Sequence, residues 1–182
     1  MSCAKSFSGL ARDCDPNIGG IKAAWLTNFA DVASVTVTSD MISAIVMVEG
    51  NPAPKFKKYN FRPATSNFES TLNTSEENGP QDVTTLINLV FGRMETTKRI
   101  EVEAMSLGEL AMIVKDQNDK FWYFGKDNPV FASAGTGSTG TARSDRNGYN
   151  VTLQDNAKTW PYEINVGTSE GQVNLSTIVD EL

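Results

Sequence analysis

The sequence predicts a mainly β fold, which is a β-sandwich or barrel with one short flanking α-helix and a long extended arm or hairpin. Several short runs alternate apolar and polar residues, which is the period of a strand with one buried face. Turn-forming Gly, Pro, Asn and Asp residues separate these runs. Because only one short stretch has helical spacing, short strands joined by turns dominate the prediction.

The stretch 98–125 organises the prediction, because a strand, a short helix and a hairpin follow one another in it. Lys98 to Ala104 alternate apolar and charged side chains and are predicted as a strand with one solvated face. Ser106 and Glu109 have the spacing of a capping box, so a helix is predicted over Ser106–Met112. A helix this short is stable only when its apolar side packs on a sheet.

The second half of this stretch predicts a hairpin with a polar tip. The apolar run Met112–Val114 and the aromatic run at 121–124 flank the polar turn Asp116–Asp119. Alternation places Trp122 and Phe124 on the buried side of the hairpin. The first and third aromatic residues of the run then lie on the opposite face, at a subunit contact.

Further strands are predicted before and after this unit from alternation and from short apolar runs. They are Ile21–Phe29, Ser34–Ser39, Ala44–Val48, Val83–Met94, Val130–Ala134, Tyr149–Gln154 and Trp160–Val166. The glycine-rich segment 135–148 is predicted as a flexible loop. The tail 167–182 is predicted as a polar segment that docks late, through a strand or a short helix.

The composition bounds the class of protein. With 182 residues and no shift in composition, residues 1–182 are predicted to form one domain. A formal net charge of -6 disfavours binding to nucleic-acid phosphates and anionic lipids. There is no apolar run near the roughly 20 residues of a membrane span and no signal-peptide core, so we expect a cytoplasmic protein without a membrane anchor. Cys3 and Cys14 are predicted as free thiols.

The sequence offers no convincing active site. It has no histidine, which removes the commonest general base and the usual zinc ligand. Gly135, Gly137 and Gly140 match GxGxxG, but a dinucleotide site requires a helix there and a polar segment follows. The acidic turn at 116–127 lacks the glycine and final glutamate of a calcium loop. We therefore expect no enzyme, no catalytic residue, no metal and no cofactor.

Residues 50–82 differ in character from the rest of the chain. Residues 55–63 carry four positive charges and no negative ones, whereas residues 64–82 carry four negative charges and no positive ones. The segment has too many large apolar groups for a solvated loop and too many polar residues for a core. An arm that buries its aromatic groups against another subunit accounts for both properties. A twisted hairpin whose aromatic groups fold back on their own domain is the alternative.

The order of these elements resembles the phage tail-tube fold, which contractile and non-contractile tails share with type VI secretion and related injection systems. Over roughly residues 18–166, early strands precede a charged arm, a long strand, a short helix, an aromatic hairpin and closing strands. The segments CDPNIGGIKAAWLTNF, KFWYFG and STGTARSDRNGYNVTL also resemble structural proteins of phages that infect Bacteroidota. The resemblance implies a structural virion protein, whose β-sandwiches form stacked hexameric rings around a channel for DNA.

By this resemblance, the arm contacts the adjacent ring, and Glu101 and Glu103 are candidates for an acidic channel face that DNA passes without binding. The implied partners are further copies and other tail proteins, and the implied location is the virion tail, assembled in the bacterial cytoplasm. Alternatives are another virion ring protein, such as a terminator, connector or baseplate protein, and a non-viral β-sandwich binding module. The expected ring-stacking residues are Lys55, Phe56, Lys57, Lys58, Tyr59, Phe61, Arg62, Phe68, Glu76, Glu77 and Asp82.

Overall fold

A computed structural model of the chain describes Gly9, residues 17–74 and residues 81–182. These residues form three antiparallel sheets, two α-helices and a 3-10 turn, so the mainly β prediction is confirmed. The helices are α1 (Thr96–Leu107) and α2 (Leu175–Ile178). The strands are β1 (Ile21–Asn28), β2 (Val32–Thr38), β3 (Met41–Met47), β4 (Lys57–Asn60), β5 (Asn67–Thr74), β6 (Gln81–Gly92), β7 (Leu110–Asp116), β8 (Phe121–Phe124), β9 (Phe131–Ser138), β10 (Gly148–Ala157) and β11 (Tyr162–Glu163).

Two of the sheets face each other as a sandwich. One has five strands in the order β11-β8-β7-β1-β4, and the other has four in the order β5-β6-β10-β9. Both contribute alternate apolar residues to one core, as sandwich sheets do. From the five-stranded sheet these are Ile21, Ala24, Leu26, Met112, Val114 and Phe124, and from the four-stranded sheet Ile87, Leu89, Val151 and Leu153.

A second core covers the other face of the five-stranded sheet. Trp25 and Tyr123 are buried there, under the β2–β3 hairpin and the C-terminal segment. The Trp25 indole N–H donates to the carbonyl of Glu181 at 2.7 Å, and Phe56 forms a parallel bridge with Val179. The tail 167–182 is therefore part of the packed structure, and the five-stranded sheet is covered on both sides.

The predicted strand Lys98–Ala104 and the predicted helix Ser106–Met112 are both wrong. The helix is α1, which begins at Thr96 and ends at Leu107, and Leu110 already begins β7. Charged residues of high helix propensity occupy the first two turns, and Arg99 and Glu103 form an i,i+4 ion pair at 3.0 Å. Val102 and Met105, three residues apart, pack on the core. Helical spacing therefore explains the burial better than the alternation that Ile100, Val102 and Ala104 suggested.

The predicted hairpin is present as β7 and β8, with the expected polar turn. Trp122 and Phe124 face the four-stranded sheet, as the alternation predicted, and Phe68 packs against both rings. Tyr123 on the opposite face is also buried, under this chain's own second core. The expectation of a subunit contact at Tyr123 is therefore wrong.

The glycine-rich segment is shorter as a loop than predicted. The strand β9 extends to Ser138, and β10 begins at Gly148, which leaves 139–147 as the connection. At Gly137 a Cβ atom would lie 3.1 Å from the Tyr149 ring, so the missing side chain permits a close approach. Gly135 and Gly137, which suggested a loop, are therefore part of the exposed strand β9.

Candidate assembly surface

The outer face of the four-stranded sheet is polar and almost uncharged. Because side chains alternate along each strand, Ile87 and Leu153 point into the core while their neighbours point outward. No lysine or arginine occurs in β5, β6, β9 or β10, and Glu69 and Asp82 are the charged residues of their outer face. The amide and hydroxyl residues there are Asn67, Thr71, Asn73, Thr84, Asn88, Thr136, Asn150, Thr152, Gln154 and Asn156.

These polar side chains bond to one another across the strands. The Thr152 hydroxyl donates to Asn88 at 2.8 Å, and the Asn88 amide donates to Asn67 at 3.5 Å, which links three strands in one row. Asn73 donates to Asp82 at 3.0 Å on the same face. Such a face is hydrated but offers no fixed cation to a phosphate backbone.

Both edges of this sheet are unpaired among the described residues. β5 pairs with β6 alone and β9 with β10 alone, and each edge strand is eight residues long. The sequence of β9, FASAGTGS, has neither charge nor proline, and seven of its eight residues are exposed. Soluble proteins usually protect edges with lysine, proline, bulges or short strands. β9 has a bulge at Ser133 and lies beside α1, but its remaining residues 134–138 are exposed and uncharged, which makes this part of the edge a template for pairing with another strand.

The topology fixes how such pairing would run. A sheet of four antiparallel strands has first and last strands of opposite direction, so β5 and β9 run in opposite senses. Copies related by rotation about one axis would therefore present β9 and β5 to each other as antiparallel strands. The alternation would continue from one copy to the next.

The aromatic residues of the predicted arm pack within their own chain. Phe56 is 0% exposed in the second core, and Tyr59 and Phe61 pack on Phe91. Phe68 lies in β5 against the hairpin aromatics described above. The arm prediction for 50–82 is therefore wrong for the described residues, which form β4 and β5 in two different sheets. The alternative, aromatic groups folded back on their own domain, describes them correctly.

Two of the four cations of the basic half contact the C-terminal segment of their own chain. Lys57 forms an ion pair with Asp180, and the Lys58 ammonium donates to the carbonyl of Leu182 at 2.6 Å. Lys55 and Arg62 are exposed. On the acidic side, Asp82 is exposed at the start of β6, whereas Glu76 and Glu77 lie outside the described residues.

Glu101 and Glu103 lie on α1, so the strand that was predicted to carry them is wrong, while their position at a channel stays a prediction. Glu101 accepts a hydrogen bond from the Tyr59 hydroxyl at 2.6 Å, which joins the helix to β4. Burial of Tyr59, followed by this bond to a carboxylate, raises the pKa of its hydroxyl well above the usual range. Glu103 is held by Arg99 of its own helix. Glu101 therefore links α1 to β4, and Glu103 forms an ion pair within α1.

Sequence reasoning missed one buried carboxyl group. Asp155 is 4% exposed on the inner face of β10, two positions after Leu153, and one of its oxygens has no partner in the described residues. Burial raises the pKa of Asp155 to about 6, against the effect of a hydrogen bond from the backbone N–H of Gly125. The alternation of Val151, Leu153 and Asp155 placed all three on one face and was the available signal.

Sites of other kinds find no support in the described residues. Within 17–74 and 81–182, no three Cys, Asp or Glu side chains gather as a metal-binding group. Neither of the two described helices has the length and hydrophobicity needed to cross a bilayer. Comparisons of the chain with protein-family models, with curated proteins and with solved structures gave no match.

Proposed function

We propose that this protein is a structural subunit of a tube, of the kind that forms phage tail tubes. The observation that carries the proposal is the four-stranded sheet, which has two long unpaired edges of opposite direction. A heterologous contact between two such edges closes into a ring when the rotation between copies is right. The strand edges disappear in a closed barrel, which removes the risk of uncontrolled aggregation.

The outer face of the same sheet supports a channel for DNA. If the strands line the interior of a ring, that face carries amides, hydroxyls, two carboxylates and the exposed Leu86 and Phe131, with no lysine or arginine. Binding to a phosphate backbone depends on cations that replace condensed counterions. A wall without them lets DNA pass without binding it. The sandwich core and the covered five-stranded sheet would form the outer layers of the tube.

Electron microscopy of the purified full chain tests the proposal directly. We expect rings or tubes with a central hole, viewed by negative stain at micromolar concentration. A monodisperse, monomeric protein at these concentrations would contradict the proposal.

A disulfide experiment tests which strands meet. In a Cys3→Ser, Cys14→Ser background, one cysteine is placed on each edge, as Thr71→Cys and Thr136→Cys, with Ala134→Cys as a second register. Oxidation should give a ladder of covalent oligomers when both edges carry a cysteine. The variant with Thr71→Cys alone is the control and should give no ladder. Rings without any edge-to-edge cross-link would place the contact elsewhere.

A non-viral binding module is the second candidate, and one observation favours it. Trp160 is 54% exposed and lines a cleft of about 350 Å3 with Phe68, Trp122 and Pro161. Exposed aromatic groups in a concave site are typical of ligand binding. A monomer in which Trp160→Ala abolishes retention on an immobilised ligand would favour this candidate over the tube.

A further inference from the structure

An open cavity of about 600 Å3 is lined by residues of α1, of β1 and of the edge strand β4 of the five-stranded sheet. Its floor is apolar, because the buried Leu26, Met105 and Leu110 of the sandwich core line it. Pro52 and Pro54 of the β3–β4 connection form part of its wall. A concave and largely apolar site of this size is typical of small-molecule binding.

Asp31 brings an oriented carboxylate to this cavity. It ends the 3-10 turn Phe29–Asp31, and its backbone carbonyl accepts the N–H of Val48 at 2.9 Å. Its carboxylate oxygen Oδ2 accepts the Thr27 hydroxyl at 3.3 Å and the Asn28 amide at 3.1 Å. The other oxygen, Oδ1, has no hydrogen bond with a described residue. The side chain is therefore held in place while one of its oxygens is left for a ligand.

α1 contributes a second carboxylate to the lining. Oε2 of Glu101 accepts the Tyr59 hydroxyl at 2.6 Å, whereas Oε1 has no hydrogen bond within the part of the chain that the structure describes. Glu101 is exposed, so its charge is screened by water and salt more than that of the half-buried Asp31. We therefore expect Asp31 to attract a cation more strongly than Glu101 does.

The other charged groups of the cavity balance one another. Lys57 forms an ion pair with Asp180. Lys55 is exposed and has no ion pair with any described residue. Together with Asp31 and Glu101, these residues give the lining a net charge of -1. Lys55 opposes the binding of a cation, so its neutralisation should strengthen that binding.

We propose that this cavity binds a primary alkylammonium ion, with its ammonium group on Oδ1 of Asp31 and its carbon chain on the apolar floor. An ammonium group donates three hydrogen bonds, and those that it makes to a carboxylate are among the strongest in proteins. Each methylene group that leaves water for the floor also favours binding. The negative lining disfavours an anion. A metal ion gains nothing from apolar walls, and no carboxylates of the described residues gather as a metal-binding group.

The inference goes beyond the tube and does not depend on it. None of the described residues that line the cavity belongs to β5, β6, β9 or β10, so the proposed pairing of strand edges leaves the cavity open. The same chemistry is offered by a free amine and by a lysine side chain of another protein, and the experiment below distinguishes these two sources.

Saturation-transfer NMR observes the ligand and measures weak binding to the full chain whether or not the chain assembles. The probe is n-pentylamine, which is charged at neutral pH, and 1-pentanol and pentanoate have the same chain length. Pentylamine should bind at least about tenfold more tightly than either analogue, because it alone can donate charge-assisted hydrogen bonds to Asp31. Ethylamine should bind at least about tenfold more weakly than pentylamine, because it has fewer methylene groups to bury.

Substitutions that keep the size of each side chain identify the groups that bind the ammonium. Asp31→Asn keeps an oxygen acceptor for its two donors and should weaken the binding of pentylamine at least about tenfold. Glu101→Gln should weaken binding about threefold, and Lys55→Gln should strengthen it about twofold. Glu103→Gln is the matched control, since it changes the net charge equally on the same helix outside the lining, and it should leave the affinity unchanged. Circular dichroism checks that each variant is folded.

Three results would overturn the site: no saturation transfer to pentylamine, equal affinities for pentylamine and pentanol, or an Asp31→Asn variant that binds like the parent. A loss of the same size in Glu103→Gln would reduce the effect to net charge and would also overturn it. Nα-acetyl-lysine N-methylamide is the probe for a lysine side chain. If it binds more tightly than pentylamine, the ligand is a lysine of another protein, and if it binds more weakly, the ligand is a free amine. A protein that forms no rings but binds pentylamine as expected would contradict the tube and support the site.

Discussion

The two large sheets share one core but differ in what lies on their other faces and at their edges. The five-stranded sheet is covered on its outer face by the β2–β3 hairpin and the C-terminal segment. Its edge strands β11 and β4 have two and four residues. The four-stranded sheet has an open polar face and two edges of eight residues each. The first sheet is protected by a covered face and short edge strands, whereas the second keeps two long edges, with a bulge in β9 and α1 beside it.

This difference separates folding from assembly. Apolar residues in the centre of the five-stranded sheet are buried on both faces, as Phe124 and Tyr123 show, so their substitutions act on the free energy of unfolding. Outward polar residues of the four-stranded sheet form hydrogen bonds mainly with one another in the isolated chain. If the proposed ring forms, their substitutions act on association while the fold survives.

A pair of phenylalanine substitutions should show the largest contrast between the sheets. Phe124 is 0% exposed in β8, whereas Phe131 is 40% exposed at the start of β9. Phe124→Ala should lower the free energy of unfolding by about 3 to 5 kcal/mol, because it leaves a cavity between the sheets. Phe131→Ala should cost less than about 1 kcal/mol. Urea denaturation followed by tryptophan fluorescence measures both, and equal losses would show that the sheets are equally buried.

The C-terminal segment is the next test, because it covers the outer face of the five-stranded sheet. Leu175 is 2% exposed in the second core, and its neighbour Ser176 is exposed. Leu175→Ala should cost about 2 to 4 kcal/mol, whereas Ser176→Ala should change stability by less than about 0.5 kcal/mol. The same denaturation experiment measures both. A Leu175→Ala variant as stable as the control would mean that the segment is an appendage and that one face of this sheet is dispensable.

The sequence predicted the central strands of both sheets better than their edge strands. Strands β1, β6, β8 and β10 could be recognised because they are apolar or alternate, whereas the first three residues of β7 were assigned to the predicted helix Ser106–Met112. β9 was recognised only as far as Ala134, because its last residues are small and have no hydrophobic period. A strand with an exposed edge and face does not need apolar residues there, so its sequence resembles that of a loop.

Two other errors have a common physical origin. Helix α1 was interpreted as a strand because Ile100, Val102 and Ala104 alternate, although Ile100 is 52% exposed and contributes little to the core. The segment 50–82 was interpreted as an arm because its sequence does not show where its aromatic groups pack. Phe56, for example, forms a bridge with Val179, which is more than a hundred residues away. Alternation along a short segment gives no information about contacts with residues that are distant in sequence.

The buried Asp155 on the inner face of β10 should make the free energy of unfolding depend on pH. Its carboxyl group has a pKa of about 6 because of burial, opposed by the Gly125 N–H and increased by Asp127. A raised pKa means that the folded state holds the proton more tightly than the unfolded state, so the contribution of Asp155 to stability is greatest below about pH 4 and is lost as pH rises through about 6. The loss should be on the order of 2 kcal/mol.

Denaturation curves at a series of pH values measure this effect. Asp155→Asn should remove the decline between about pH 4 and 6 and make the protein more stable than the parent at neutral pH. Asp145→Asn is the control, because that exposed carboxyl group has a lowered pKa and does not titrate in this range. A decline that persists in Asp155→Asn would assign it to another group.

The smallest expected effect concerns the link between α1 and the five-stranded sheet. The Tyr59 hydroxyl of β4 donates to Glu101 of α1 at 2.6 Å, while Val102 and Met105 pack the helix on the core. Tyr59→Phe removes the hydrogen bond and keeps the ring, and should cost about 1 kcal/mol, since one partner is exposed to solvent. Glu103→Gln, which removes only the pair within the helix, should cost less than about 0.5 kcal/mol. Neither change touches an edge of the four-stranded sheet, so any tubes should form as in the parent. A Tyr59→Phe variant that folds normally but no longer assembles would show that the helix, and not the strand edges alone, positions the assembly surface.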